Sequence, residues 1–288
     1  MKVFFVGAGP GDPELITVKG KKFIDRADII VYAGSLVNPA LLPGEGDTGS
    51  GPEIYDSSSM DLEEVTAIYS ANRGRKGTIV RLHTGDPAIY GAIQEQIDFC
   101  RSREIPFEVV PGVSSFSAAA AVLEQELTLP GVSQSVILSR ISGRTKTPPP
   151  EDIGSLASHR ASMVLFLSAG KLAETVEKLK QGYSPETPAA VVYRASWPDQ
   201  KIVRGTLSTI EEKTREAGIT RQALIVVGSV LGAVQNFAAH KGAPREDTPH
   251  LDAQHSGATH HYEKSKLYDP GFTHGYRKAR EKEVEDDE

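Results

Sequence analysis

The sequence predicts an α/β fold of two αβα domains, the first a mostly parallel doubly wound sheet, the second mixed, with the active-site crevice between them. Three observations carry this. Short apolar runs alternate with helix-length segments through residues 1–130, the pattern of parallel strands joined by helical crossovers. Two of those runs end in glycine-rich loops, Gly7-Ala8-Gly9-Pro10-Gly11-Asp12-Pro13 and His83-Thr84-Gly85-Asp86-Pro87. In an open α/β sheet ligands bind where strands end at their carboxyl edge, so two such loops point to one crevice. Third, the pattern restarts after Leu129-Pro130-Gly131, which divides residues 1–130 from a second domain at 131–232.

Taken in order, Val3–Val6 reads as a buried strand, and Pro13–Asp25 as a helix with Asp12 at its N-cap and Glu14 in its first turn. Asp28–Tyr32 is the second strand, Asp61–Asn72 a helix, Thr78–Leu82 the third strand, and Ile89–Arg101 the next helix. Phe107–Val110 is a strand closed by Pro111-Gly112, and Ser114–Leu123 a helix of small residues. In the second domain Ser135–Ser139, Met163–Leu167, Ala189–Tyr193, Lys201–Thr206 and Leu224–Val227 read as strands, with helices at Leu172–Leu179 and Ser208–Arg215. Arg144–Pro150 is a basic, proline-rich loop, and residues 233–288 form a polar, partly flexible tail.

Composition narrows the function. Of 288 residues 39% are hydrophobic and 24% charged, enough apolar content for a real core. No apolar stretch reaches the roughly 18 residues that span a bilayer. Met1-Lys2-Val3 runs directly into a strand, so no signal peptide is expected and the cytoplasm is the expected compartment. A net charge of −6 argues against general nucleic-acid binding, which needs a basic face. The one cysteine, Cys100, excludes an internal disulfide and is expected in the core.

The loops suggest a ligand. Gly7-Ala8-Gly9 begins like a dinucleotide fingerprint, but Asp12 stands where the third glycine belongs, and the second strand ends Val31-Tyr32-Ala33-Gly34 without an acidic ribose partner. No Gly-Lys-Ser/Thr follows, so a phosphate loop is absent too. The carbonyls and carboxylate of Thr84-Gly85-Asp86-Pro87 suit a cationic or hydroxyl-rich ligand, although the same residues also make an ordinary turn. Ser114 and Ser115, after Pro111-Gly112-Val113, stand where a helix begins and a carboxylate can bind. S-adenosylmethionine carries a carboxylate at one end and a cation in the middle, and so fits both.

Gly7–Pro13 with Leu15-Ile16-Thr17, Arg81–Pro87 with Tyr90-Gly91, and Val110–Ser115 together resemble the signature set of the tetrapyrrole methylases, the class III S-adenosylmethionine-dependent methyltransferases. Tyr32–Val37, Leu82–Asp86 and Tyr193-Arg194-Ala195-Ser196-Trp197-Pro198 are similar to the members that act on C11 of precorrin-4, as are Ser265–Asp269 and His274–Arg277 in the tail. The resemblance implies two αβα domains, a homodimer, S-adenosyl-L-methionine as cofactor, and methyl transfer to C11 of precorrin-4 or cobalt-precorrin-4 in cobalamin biosynthesis. It implies cofactor contacts at Pro10, Thr84, Gly85, Asp86, Ile89, Ser114, Ser115, Leu167 and Ala195, and a tetrapyrrole site using Gly11, Asp12, His83 and Arg194. Another ring carbon of a precorrin or uroporphyrinogen is the neighbouring alternative, and a noncatalytic nucleotide-metabolite binder the remote one.

In the uroporphyrinogen methylases an aspartate after the tyrosine of the second strand is a proposed base; Ala33 occupies that position here. No general base transfers, leaving Asp86 and Arg194 as weak catalytic candidates. Cations to meet substrate carboxylates could come from Arg81, His83, Arg140, Arg144, Arg194 and Arg204, and Trp197 could stack on a ring or simply pack. His250, His255, His260, His261 and His274 match no metal-site spacing, so no metal is expected.

Overall fold

The computed structural model describes residues 1–34, 36–44, 51–233, 262–263, 265–273 and 275–278. The chain divides into two compact units, the first comprising Met1–Glu124, Val192–Ile202 and Gln222–Leu224, the second Gln125–Val191, Val203–Arg221 and Ile225–Glu288.

The first unit is built on β1 (Lys2–Gly7), β2 (Ile29–Tyr32), β3 (Glu53–Asp56), β4 (Thr78–His83) and β5 (Phe107–Val110), in the order β3-β2-β4-β1-β5. All its strand pairs are parallel. The helices are α1 (Val18–Ile24), α2 (Leu62–Ala71), α3 (Gln94–Ser102) and α4 (Ser115–Val122). Parallel strands buried on both faces read as continuous apolar runs, and the side chains divide accordingly. Val3, Phe5, Val31 and Ile79 pack with Val65, Tyr69, Ile97 and Cys100 on one face. Phe4, Val6, Ile30, Val80 and Leu82 pack with Ile24 on the other.

The second unit carries α5 (Ile153–Ala157), α6 (Leu172–Leu179) and α7 (Ile210–Glu216). The second sheet, most of which lies in this unit, joins β6 (Val136–Arg140), β7 (Ser162–Phe166), β8 (Pro188–Tyr193), β9 (Lys201–Thr206) and β10 (Ala223–Val227) in the order β6-β7-β10-β8-β9. β6 and β7 run parallel, β10 and β7 antiparallel, so this sheet is mixed, as expected.

Two helix boundaries differ from the sequence expectation. The segment from Pro13 is not one helix. Asp12 caps a 3-10 turn at Pro13–Leu15, Ile16 is extended, and Thr17 accepts from the Gly20 amide to start α1. Residues 89–93 are likewise outside α3, because Tyr90 (φ 56°) and Ala92 (φ 49°) are left-handed and break the helical path. A Cβ on Gly91 would lie 2.1 Å from the Pro87 carbonyl oxygen, so this turn folds tightly back on the second loop. β3 and α5 are additional: β3 is a largely exposed edge strand without an apolar run, and α5 spans only five residues.

Candidate functional site

Both glycine loops lie in the first unit, at the carboxyl ends of β1 and β4. They are joined by their backbones: the Gly85 amide donates to the Gly9 carbonyl at 2.7 Å, and the Gly9 amide to the Gly85 carbonyl at 3.3 Å. Gly9 (φ 76°) and Gly85 (φ 62°) sit in the left-handed region where a side chain is strained. Gly7 and Gly112 close the same knot, since a Cβ on Gly112 would come within 2.2 Å of the Gly85 oxygen and 2.8 Å of Gly7 Cα. The glycines thus let three strand ends converge, before any ligand is considered.

Asp86 fastens the second loop. Its Oδ1 accepts from the Ala88 amide at 2.8 Å and its Oδ2 from the Gly112 amide at 2.9 Å. Both carboxylate oxygens therefore serve the backbone, which leaves Asp86 poorly placed to act as a base. Beyond Gly112 comes Ser114, buried, at the N-cap of α4; its side chain makes no capping bond. The Ser115 and Phe116 amides have no acceptor among the described residues. A Cβ on Gly85 would sit 3.5 Å from the Ser115 nitrogen, so the second loop lies against this first turn. Thr84 is exposed and Ile89 half-buried beside it, the Ile89 amide donating to the Asp86 carbonyl.

The first loop is fastened by Tyr193–Gln200, which belongs to the same unit. Trp197 Nε1 donates to the Pro10 carbonyl at 2.9 Å, and the Asp12 amide donates to Ser196 Oγ at 3.0 Å. Asn38 Nδ2 donates to the Gly11 carbonyl at 2.8 Å. A Cβ on Gly11 would fall 2.1 Å from the Trp197 ring, so Gly11 is glycine because the indole lies on it. Trp197 accordingly packs, and Arg194 covers it, with the guanidinium 4.0 Å from the ring and Nη1 bonded to Asp199 Oδ2 at 2.7 Å. Ala195 is buried between Arg194 (φ 46°) and Ser196 (φ 71°), two left-handed residues whose strain the surrounding bonds hold. Neither Asn38 nor Ser196 is marked by any sequence pattern as a partner of this loop.

Leu167 lies in the second unit, immediately after β7, with φ 51° and 71% of its surface exposed. A bulky apolar residue that is both exposed and left-handed carries backbone strain that its own burial does not offset.

Beneath the second loop, His83 is buried and donates to the Gly91 backbone, leaving Nε2 without a partner. Burial, with Arg81 adding to it and the Gly91 bond opposing, holds its pKa down at about 3, so the imidazole is neutral. Arg140 reaches the Thr145 carbonyl, and Arg144 is exposed. Cys100 is buried, and burial pushes its thiol up to about 11, which makes it inert. No group of three or more His, Cys, Asp or Glu residues able to hold a metal occurs among the described residues, and the tail histidines His250, His255, His260, His261 and His274 lie outside them.

A parallel sheet whose strand ends converge on glycines, beside a helix N-terminus with open amides, is the α/β arrangement suited to a small anionic or zwitterionic ligand. The chain belongs to the tetrapyrrole (corrin/porphyrin) methylases, whose family model matches residues 2–211. It is 49% identical over 284 residues to the cobalt-precorrin-4 C(11)-methyltransferase of Methanocaldococcus jannaschii, covering 98% of each chain. The X-ray structure of a cobalamin biosynthetic enzyme, cobalt precorrin-4 methyltransferase, matches with a TM-score of 0.76 at 43% identity, over 80% of this chain and 95% of that one. Uroporphyrin-III C-methyl transferase from Thermus thermophilus, complexed with S-adenosylhomocysteine, matches with a TM-score of 0.67 at 27% identity, over 80% of this chain and 99% of that one.

Proposed function

We propose that this protein is an S-adenosylmethionine-dependent methyltransferase that methylates C11 of precorrin-4 or cobalt-precorrin-4 in cobalamin biosynthesis. The observation that carries the reading is the open first turn of α4: the Ser115 and Phe116 amides have no acceptor among the described residues, the Ser114 side chain makes no capping bond, and Gly85 lies against the Ser115 nitrogen. That arrangement fits the carboxylate of an amino-acid-bearing cofactor, and the membership and likenesses above support the rest.

S-adenosylmethionine, when bound, supplies a methyl group on a sulfonium that a ring carbon can take directly. The protein's part is then mainly alignment, worth up to ~7–11 kcal/mol in well-oriented systems. Ser114, Ser115 and the Gly85 turn would hold the amino-acid end, with Thr84, Ile89, Pro10, Ala195 and Leu167 as further cofactor contacts. Asp86 would act by positioning, keeping the second loop on Gly112. Gly11, Asp12, His83 and Arg194 are assigned to the tetrapyrrole side, and Arg194 would leave Asp199 for a substrate carboxylate. No residue is assigned as a general base. Among the described residues no helix is long and apolar enough to cross a membrane; we propose a cytoplasmic homodimer.

The test is transfer of labelled methyl from S-adenosylmethionine to precorrin-4, metal-free or cobalt-loaded, under anaerobic conditions, with the product's carbon spectrum assigned. A methyl at C11 supports the reading. A methyl at another ring carbon, or cofactor binding without transfer, overturns it.

A further inference from the structure

Arg81 is an unusual residue for the interior of a sheet. It sits near the carboxyl end of β4, paired in register with Phe5 and Val31, and it is only 9% exposed. Its Nη1 donates to Ser57 Oγ at 2.8 Å. The Ser57 hydroxyl in turn donates to the Tyr32 carbonyl at 3.0 Å, so its hydrogen is spent and its orientation fixed. Nε is buried with no partner, while Nη2 also lacks a protein partner but is not sealed from solvent. Among the described residues no carboxylate neutralises the charge; the one ionisable group acting on it favourably is the Tyr69 phenol. A buried guanidinium stays charged and is costly without a counter-ion.

The two uncommitted nitrogens are the pair that matters. Nε and Nη2 share one edge of the guanidinium and present parallel N–H groups, the edge that grips a carboxylate with two bonds. Ser57 holds the opposite corner. Two residues along the same strand face, neutral His83 keeps a buried Nε2 without a partner and brings no competing positive charge. Two residues beyond His83 is Gly85, so this edge belongs to the end of the sheet where the loops converge.

We propose that Arg81 is a carboxylate-binding residue of the tetrapyrrole site, its accessible Nη2 meeting one acidic side chain of the substrate, Nε joining as the second bond once the entering carboxylate opens that edge, and Ser57 holding the guanidinium in register. The proposal rests on the functional reading above, in which the substrate is a polycarboxylate. Two carboxylates could come here, one from the tetrapyrrole and one from the cofactor, and the α4 terminus already provides for the second.

The test compares wild type with Arg81→Lys, which keeps charge and length but loses the fork, and with Arg81→Gln and Ser57→Ala. The readouts are equilibrium binding of uroporphyrin III, a stable polycarboxylate tetrapyrrole, and of S-adenosylhomocysteine, followed by KM and kcat for methyl transfer. Losing a two-bonded charged contact predicts roughly a ten- to hundred-fold loss of uroporphyrin affinity and a similar rise in tetrapyrrole KM for Arg81→Lys. S-adenosylhomocysteine affinity stays within about twofold, and Ser57→Ala shows a smaller change of the same kind. If Arg81→Gln does not fold, Arg81→Lys decides. Unchanged uroporphyrin affinity in Arg81→Lys, an equal loss for S-adenosylhomocysteine, or no uroporphyrin binding by wild type overturns the proposal. Wild type that binds uroporphyrin through Arg81 but transfers no methyl group would overturn the functional reading and leave this site standing.

Discussion

Replacing Asp86 by alanine removes two hydrogen bonds at once, those to the Ala88 and Gly112 amides at 2.8 and 2.9 Å. A bond to a charged group contributes about 1.5–3 kcal/mol. Asp86 is half-buried, so water replaces part of what is lost, and the expected destabilisation is about 2–4 kcal/mol rather than the full sum. The local consequence is more specific. Gly112 is freed from the second loop, the Gly85–Ser115 approach loosens, and the α4 amides no longer face a fixed Gly85. Asp86→Asn keeps one acceptor oxygen but sets an NH2 group against a backbone N–H, so it should fall between wild type and alanine. Urea unfolding reads the stability, and calorimetric titration with S-adenosylhomocysteine reads the site. At 1.4 kcal/mol per tenfold, a loss of about 1.5–3 kcal/mol at the site weakens the cofactor product about ten- to hundred-fold. Unchanged affinity together with unchanged unfolding in Asp86→Ala would refute the reasoning, because both bonds would then be worth nothing.

Three further outcomes follow from the same geometry. Trp197→Phe deletes the bond to Pro10 but keeps a ring over Gly11, costing about 1 kcal/mol, whereas Gly11→Ala must displace the indole and costs about 2–3 kcal/mol; a double-mutant cycle of Gly11→Ala with Trp197→Ala, followed by urea unfolding, should show strong non-additivity, and simple addition would contradict the contact. His83 is neutral in the fold with a pKa near 3 against 6.5 for an ordinary imidazole, so the unfolded chain takes up a proton first on acidification. Its contribution is complete above about pH 6.5 and is lost as pH falls towards 3, with a limiting slope of about 1.4 kcal/mol per unit; a wild type no more acid-sensitive than His83→Gln between pH 7 and 5 would show that His83 is not buried neutral. Cys100 should react with a thiol reagent only at the rate of unfolding, and fast labelling of native protein would contradict its burial.

What could be read in the sequence depended on whether the signal was local. The central strands Val3–Val6 and Thr78–Leu82 announce themselves because burial on both faces demands unbroken apolar runs. Edge strand β3 carries Glu53 and Asp56 with little buried, so nothing in it separates strand from loop. The helix starts were misjudged where a short-range competitor won: Thr17 caps α1 later than Asp12 would, and left-handed Tyr90 and Ala92 delay α3. The site shows the same division. Glycines mark loops, but why each is glycine depends on partners far along the chain, as with Trp197 on Gly11 across 186 positions.

The same reasoning separates two arginines that look alike in sequence. Arg194 stands beside a motif and attracts notice, yet Asp199 and the Trp197 ring already satisfy much of its guanidinium. Arg81 sits inside an apolar strand where a charge is costly, and only the packed fold shows that its fork edge lacks a partner. A surface pair held by a carboxylate contributes little and exchanges partners readily. A buried, uncompensated cation gains far more from the first anion to reach it, because little water screens the contact. On that physical ground Arg81 is predicted to be a stronger anchor for an acidic substrate than Arg194, and comparing Arg81→Lys with Arg194→Lys in one uroporphyrin titration ranks them directly; a larger loss for Arg194→Lys would reverse the order.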